Sequence, residues 1–457
     1  MLFSSVEFLF VFLPITLGVY FLRPLRFRNL WLFVASLLFY GFGEPICLFL
    51  MLLTITADYF FGLLIERSKI HKGLWLTVGT IFNFSLLAFF KYFDMIATAF
   101  GFSPLGIALP IGISFYIFQA TSYIIDVYRK EVEAAKSFIN FGTYVSLFPQ
   151  LIAGPIVKYR DIDKELTERT HTVSNIAKGV STFCAGLAKK ALLANPAGEL
   201  YEYLSKSRTD PASLWLGLVF FSFQIYYDFS GYSDMAIGLG RILGFSFPRN
   251  FNYPYISRSI TEFWRRWHMT LSSWFREYVY IPLGGNRRGK LRTYINLFAV
   301  WSLTGLWHGA SWNFLIWGVY FFILLVMEKA FLLKLLEKTP RVIRHIYALF
   351  FILLGWVIFS AEGGINEIVT LTKSLFGIGS APVFGSSFVY DVLRNLPFLV
   401  ILAIGATPLP KKITERLETK SPRAYFITRN ILCIASIILS TAYIVSADYN
   451  PFLYFRF

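Results

Sequence analysis

The sequence predicts an all-α, polytopic membrane protein, a bundle of transmembrane helices joined by re-entrant and interfacial amphipathic pieces. Three observations carry this reading. The 457 residues are 56% hydrophobic and 19% aromatic but only 15% charged, and the mean hydropathy is +0.57, well outside the balance of a soluble domain. Apolar runs long enough to cross about 30 Å of hydrocarbon recur along the chain. Basic residues gather in short clusters between those runs, on alternating connections, as positive-inside topology requires.

In chain order the apolar stretches are residues 8–22, 30–40, 46–65, 74–90, 109–127, 176–193, 214–232, 293–307, 313–333, 346–360, 396–406 and 431–445. Several are short for a crossing, so tilted or re-entrant segments are expected among them. The first lacks a basic stretch before it, and its cationic cluster follows the apolar run, which reads as a retained span and not a cleaved signal. Arg23/Arg26/Arg28, Arg67/Lys69/Lys72, Arg129/Lys130/Lys158/Arg160, the stretch 249–292, Lys334 to Arg344 and Lys411 to Arg429 fall on one side. The less charged loops around Gly43, Gly101, Ser207 and 364–390 fall on the other. This places the N-terminus and the C-terminal 449–457 outside. No repeat or inverted pair of halves is apparent, and residues 1–457 read as one integral membrane domain.

The net charge of +16 is spread over those connections and not gathered in a domain or tail, which argues for the bilayer and against nucleic acid as partner. Cys47, Cys184 and Cys433 stand far apart in apolar sequence, so neither a disulfide framework nor a zinc site is expected.

Two regions fit plain spanning helices poorly. FINFGTYVSLFPQLIAGPIVKYRD carries Pro149, Gly154 and Pro155 in apolar sequence; bare backbone cannot face lipid, so it should be buried in protein or line a cavity. In the basic stretch 249–292, Phe263, Trp267, Leu271, Trp274 and Tyr278 share one helical face. Glu262, Arg265, Arg266, Ser272, Ser273 and Arg276 occupy the other. That pattern predicts an amphipathic helix at the cytoplasmic interface. The G-x-x-x-x-G-K match at 284–290 is a false one, because Leu291 stands where a phosphate loop needs Ser or Thr.

Ionisable groups at membrane depth are costly and therefore candidates for function. Of five histidines, His71, His171 and His345 lie in hydrophilic loops, whereas His268 borders the aromatic face and His308 closes a short apolar run. Gly305 and Gly309 flank His308 and permit close approach to the backbone; Trp307 and Trp312 are near. Such an imidazole can accept a hydroxyl proton near neutral pH. Position alone equally allows a packed histidine bonding a carbonyl between helices. Asp228, Tyr232, Asp234 and Arg241 lie in or after the run 214–232, where interhelical hydrogen bonding is the plainer reading.

Six separated motifs occur in order: LFSSVEFLFVFLP, LPIGISFYIFQATSYIIDVYR, FPQLIAGPIVKYRD, YYDFSGYSDMAIGLGRILGF, FWRRWHMTLSSWFREYVYIPLGG and TGLWHGASWNFLIWG. Together they resemble the membrane-bound O-acyltransferase family, in its alginate O-acetylase-like bacterial branch, over nearly the whole chain. The resemblance implies a tunnelled helix bundle, His308 as the catalytic residue and His268 as the second family histidine. It further implies an acyl thioester co-substrate, acetyl-CoA or an acyl carrier protein, with no bound cofactor and no metal. An extracytoplasmic acetyltransferase or carrier protein and a surface polysaccharide are the implied partners, and a bacterial inner membrane the location.

The expected reaction passes an acyl group from a cytoplasmic thioester toward an extracytoplasmic hydroxyl, with His308 as base. Asp228, Tyr232, Asp234, Trp307, Asn313, Arg265 and Arg266 are the candidate substrate contacts. Asn313 and backbone N–H groups near Gly309 are the candidates for an oxyanion site. The competing classes are a polysaccharide or lipid-linked sugar transporter and a non-catalytic scaffold of an export complex.

Overall fold

The computed structural model describes residues 1–361, 363–379, 382–446 and 452–453. Among these residues all regular structure is helical, and each of the twelve apolar stretches falls on a helix. Five helices are long and apolar enough to cross a membrane: Cys47–Arg67, Lys72–Ala99, Arg341–Ser360, Phe388–Gly405 and Pro422–Ser446; Phe8–Leu22 is a shorter apolar helix. The number is below twelve for a physical reason. Leu25–Gly43 and Lys290–His308 carry arginine or lysine in their first turns, Ile113–Arg129 is 17 residues long, and Pro211–Ile242 is interrupted by Asp228, Asp234 and Arg241. The C-terminal stretch 449–457, expected outside, lies outside the described residues except for 452 and 453.

Backbone contacts group the chain into two compact units. The first holds Met1–Leu187, Gly231–Arg249 and the described part of Ser440–Arg456. Here the irregular stretch behaves as its prolines and glycines require: Phe138–Ser146 and Phe148–Leu151 are short helices, and residues 141–159 are buried throughout. Their backbone is satisfied by protein. The Tyr144 hydroxyl is within bonding distance of the Gln119 and Val157 carbonyls, at 3.2 and 3.1 Å, and the Gln150 amide donates to the Tyr144 carbonyl at 2.7 Å.

Small residues let helices of this unit approach backbone to backbone, the usual source of cohesion where lipid removes the hydrophobic drive. A Cβ on Gly186 would sit 2.5 Å from the Gly231 carbonyl, and one on Gly238 would sit 2.6 Å from the Phe183 amide nitrogen. Val173–Ala188 therefore lies against the last turns of Pro211–Ile242 with no space for a side chain.

The second unit holds Ala188–Ser230 and Asn250–Leu439. Its centre is a tight hairpin of Lys290–His308 and Trp312–Met327. A Cβ on Gly305 would meet the Phe314 carbonyl at 2.3 Å, and one on Gly318 the Trp301 carbonyl at 2.3 Å. The close approach expected at Gly305 and Gly309 is real; at Gly309 the intruding group is the Phe314 ring.

The stretch 249–292 departs from the expected amphipathic helix. It divides into Ile260–Trp264, Met269–Phe275 and a π-helical turn, Arg276–Tyr280. The break falls at His268, whose φ of 44° lies in the left-handed region, which interrupts the ladder of helical hydrogen bonds. The two faces are as the pattern demands, with Arg265, Ser272 and Arg276 exposed. Yet Phe263, Trp267, Leu271, Trp274 and Tyr278 are buried in protein, so the aromatic face packs into the unit and does not rest on a lipid surface.

Replacing Gly238 by Leu is expected to lower the melting temperature of the detergent-solubilised protein, because the new side chain must push two helix backbones apart. Overpacking of this kind costs about 1–3 kcal/mol or more. An unchanged melt would mean that the two backbones are not in contact.

Candidate functional site

Both candidate histidines border one cavity of about 250 Å³ in the second unit. Its rim carries the exposed Arg265, Ser272 and Arg276, and its inner wall the buried Trp264, His268, Trp301, Thr304 and His308. His308 is thus neither lipid-facing nor sealed away.

His308 ends the helix Lys290–His308, just where Gly309 turns the chain into extended conformation. Its ring is held edge-on by aromatic rings: Trp307 and Trp317 at 5.0 Å between centroids, and Phe359 at 5.4 Å. Trp307 also lies 5.6 Å from the His268 ring, so one indole contacts both imidazoles. Three rings on helices of a close-packed hairpin and its neighbour leave the imidazole little rotational freedom.

His268 is oriented by a different device. The side-chain oxygen of Asn250 receives the Thr270 backbone N–H at 3.4 Å and the Thr270 hydroxyl at 2.9 Å, and it lies 3.1 Å from His268 Nδ1. A backbone N–H can only donate, so the Asn250 atom is the carbonyl oxygen and Nδ1 must carry the proton. The lone pair is therefore on Nε2, which is buried with no hydrogen-bond partner among the described residues. Four residues earlier, the Trp264 indole N–H is likewise a buried donor without a partner. Two residues that line the cavity thus each keep one buried ring nitrogen without a partner, an acceptor on His268 and a donor on Trp264, an arrangement that is costly.

Of the other sequence candidates, Trp307 and Arg265 belong to this neighbourhood. Arg266 does not line the cavity: its guanidinium pairs with Glu262 at 2.9 Å and donates to the Asn252 carbonyl. Asn313 donates to the Phe359 carbonyl at 3.1 Å and is buried behind the cavity wall, fixing the strand of chain that carries one of the rings around His308. Asp228 accepts from Lys190 at 2.5 Å, both groups being buried. Tyr232 and Asp234 belong to the first unit. Tyr232 stacks on Phe3 at 4.6 Å and meets Phe452 edge-on at 4.6 Å.

Sequence reasoning passed over Trp264, Asn250 and Arg276 as site residues. Arg276 was visible on the polar face, about three helical turns after Arg265 at 3.6 residues per turn. Trp264 and Asn250 carried no signal, because the break at His268 and the return of the chain at 250 determine what they meet. Lys190 lacked one too, since its partner is 38 positions away.

A model of the membrane-bound O-acyltransferase family matches residues 129–366. The chain belongs to that family. The matched span contains both histidines and the entire cavity wall. Its relatives agree: the chain is 45% identical over 378 residues to a protein of Azotobacter vinelandii named probable alginate O-acetylase AlgI, covering 79% of the chain and 75% of the relative. It is 37% identical to the protein of that name from Pseudomonas putida, over the full length of both. It is 36% identical to the peptidoglycan O-acetyltransferase of Helicobacter pylori, covering 100% of the chain and 98% of the relative. The protein is a multi-pass membrane acyltransferase, which sets aside the transporter and scaffold readings.

Two measurements probe this geometry. Lys190→Met removes the cation bonded to a buried carboxylate and is expected to cost about 3–5 kcal/mol of stability; the double change K190M/D228L should recover most of it, whereas a substrate role for Asp228 would leave the double variant stable but inactive. In ¹⁵N spectra of histidine-labelled protein, His268 should show a protonated Nδ1 and a bare Nε2. Asn250→Leu should abolish that preference and Asn250→Asp should keep it.

Proposed function

We propose that the protein is an O-acetyltransferase of a bacterial inner membrane, taking an acyl group from a cytoplasmic thioester, acetyl-CoA or an acyl carrier protein, and passing it to an extracytoplasmic hydroxyl. The observation that carries this is the cavity itself: two imidazoles on its wall and two arginines, Arg265 and Arg276, on its rim. Positive-inside topology puts the stretch 249–292 in the cytoplasm and the N-terminus outside. The donor's phosphates or acidic carrier surface would meet the arginines first.

In the reaction the acceptor oxygen forms a bond to the thioester carbonyl carbon and the carbon–sulfur bond breaks. His308 takes the hydroxyl proton as the oxygen attacks and delivers it to the departing thiolate. The aromatic rings around His308 hold it in one orientation and exclude water, which preserves the thioester from hydrolysis. With its proton on Nδ1, His268 can only accept at Nε2, so its part is to receive a hydrogen bond from the acceptor hydroxyl or a proton relayed from it. The negative charge growing on the carbonyl oxygen needs a donor, and the unsatisfied Trp264 N–H meets that requirement better than Asn313, whose amide already holds Phe359.

The acceptor is a surface polysaccharide hydroxyl, or a partner protein outside the membrane that completes the transfer. The relatives named for alginate and for peptidoglycan support a glycan destination. The Asp228, Tyr232 and Asp234 contacts expected from sequence find no support in the cavity, and Arg276 replaces Arg266 as the second rim cation.

Purified protein given labelled acetyl thioester and an acceptor glycan should release free thiol. His308→Ala should reduce that release by at least about 10²-fold, the lower range for losing a general base, with the melting temperature kept. Arg265→Gln with Arg276→Gln should raise KM for the thioester more than it lowers kcat. Thiol release undiminished in the His308 variant would overturn the assignment.

A further inference from the structure

Four separate segments of the first unit converge at one end of the apolar helix Phe8–Leu22, and none of them belongs to the catalytic cavity. Tyr20 lies in the last turn of that helix, Arg28 in the first turns of Leu25–Gly43, Arg169 and His171 in the connection before Val173–Ala188, and Leu243 to Phe245 in the turn after Pro211–Ile242. The Tyr20 hydroxyl donates to the Leu243 carbonyl at 2.8 Å and lies 2.9 Å from His171 Nε2. Arg28 Nη1 lies 3.3 Å from His171 Nδ1. An arginine can only donate, so Nδ1 is the acceptor and Nε2 carries the proton, 3.2 Å from the Leu243 carbonyl. Gly244, at φ +85°, is required where the His171 ring presses on the turn.

Two guanidinium groups are brought together in this way with no ion pair to either; the Tyr20 oxygen and, at longer range, the Glu165 carboxylate favour the Arg169 charge. Arg169 is 9% exposed, with its guanidinium carbon 4.5 Å from the Phe245 ring centroid, and the guanidinium carbon of Arg28 lies 4.9 Å from the Tyr20 centroid. Among the described residues neither arginine makes an ion pair, and Arg169 Nε is buried with no partner. Four residues before Arg169, the Glu165 carboxylate accepts from the Ser246 backbone N–H at 2.9 Å, and Arg169 Nη1 donates to the Glu165 carbonyl at 3.2 Å. Burying a cation this deeply without an anion is costly. Burial and the neighbouring Arg28 hold the His171 pKa below its usual value, so the imidazole contributes hydrogen bonds here and no charge at neutral pH.

We infer that this cluster is a binding site for a phosphate group, supplied by a membrane phospholipid whose acyl chains lie along the neighbouring apolar surface. Arginine forks match phosphate oxygens in pairs, and the cation–ring contacts with Tyr20 and Phe245 restrain the two guanidiniums. The apolar residues beside them are exposed: Phe21, Leu22, Leu25 and Phe27. Cations beside lipid-facing apolar side chains at a span's end are the arrangement that anionic headgroups recognise. The site joins four chain segments, so an occupant would brace the cytoplasmic end of the first unit.

The test uses the full-length purified protein and native mass spectrometry with three probes: dioleoylphosphatidylglycerol, dioleoylglycerol with the same tails and no phosphate, and inorganic phosphate. Wild-type protein should retain phosphatidylglycerol and not dioleoylglycerol. Arg28→Gln, at a half-exposed position, should lower retention about fivefold, the worth of one arginine near a lipid surface; Arg169→Gln should do at least as much if it folds. The ¹⁵N titration midpoint of His171 should rise when phosphatidylglycerol is added. Displacement of the lipid by millimolar phosphate would keep the phosphate site and assign its occupant to the free ion. Equal retention of phosphatidylglycerol by wild type and a folded Arg28→Gln variant, or equal retention of dioleoylglycerol, would overturn the proposal.

Discussion

Inside hydrocarbon every backbone N–H and carbonyl must find its partner within the protein, and that single constraint organises this molecule. Where helices run unbroken, as in Cys47–Arg67 or Arg341–Ser360, the requirement is met locally and the outward side chains are free to be apolar. Where they break, the surrounding protein must supply the partners, and the break has to be buried. The break expected to need such shelter, at 147–158, and the one that the structure adds at 265–268 are both enclosed. The first is held by Tyr144 and Gln150. The second is surrounded by Phe263, Trp264, Trp267, Trp301 and Trp317, whose ring pairs form a continuous aromatic packing.

Chemistry follows from that enclosure. A chain that leaves helical conformation at depth exposes polar directions that a spanning helix hides, and protein walls around it can form a cavity without meeting lipid. His268 sits at one such departure and His308 at another, the end of its helix before Gly309. The glycines of the 290–327 hairpin do the complementary work, drawing two backbones so close that the rings beyond them are carried on a stiff support.

The helical class, the family and both histidines were legible in the sequence because each rests on local pattern: apolar length, clustered positive charge, and short motifs such as WHG and RRWH. Burial of FGTYVSLFPQLIAG was legible for the same reason, since proline and glycine announce backbone that must be sheltered. What could not be read was pairing at a distance. Asp228 looked like a ligand contact because Lys190 lies outside its motif. Asn313 looked like a donor to substrate because Phe359 follows it by 46 positions. The amphipathic pattern from 260 to 278 gave the right faces but not the break, because periodicity is silent about a single residue in left-handed conformation, and it mistook an aromatic face buried in protein for one that floats at an interface.

That left-handed residue has a consequence for how variation at this position can be understood. At φ 44° a side chain with a Cβ is tolerated at some cost, least for asparagine, aspartate and histidine and most for β-branched types. The admissible alphabet at position 268 is therefore narrow before any chemistry is considered. Alanine there would delete a ring while leaving the torsional penalty, glycine would relieve the penalty and loosen the joint between two short helices, and asparagine would preserve the bend while exchanging an imidazole for an amide. Comparing the three separates what the ring contributes from what the bend contributes.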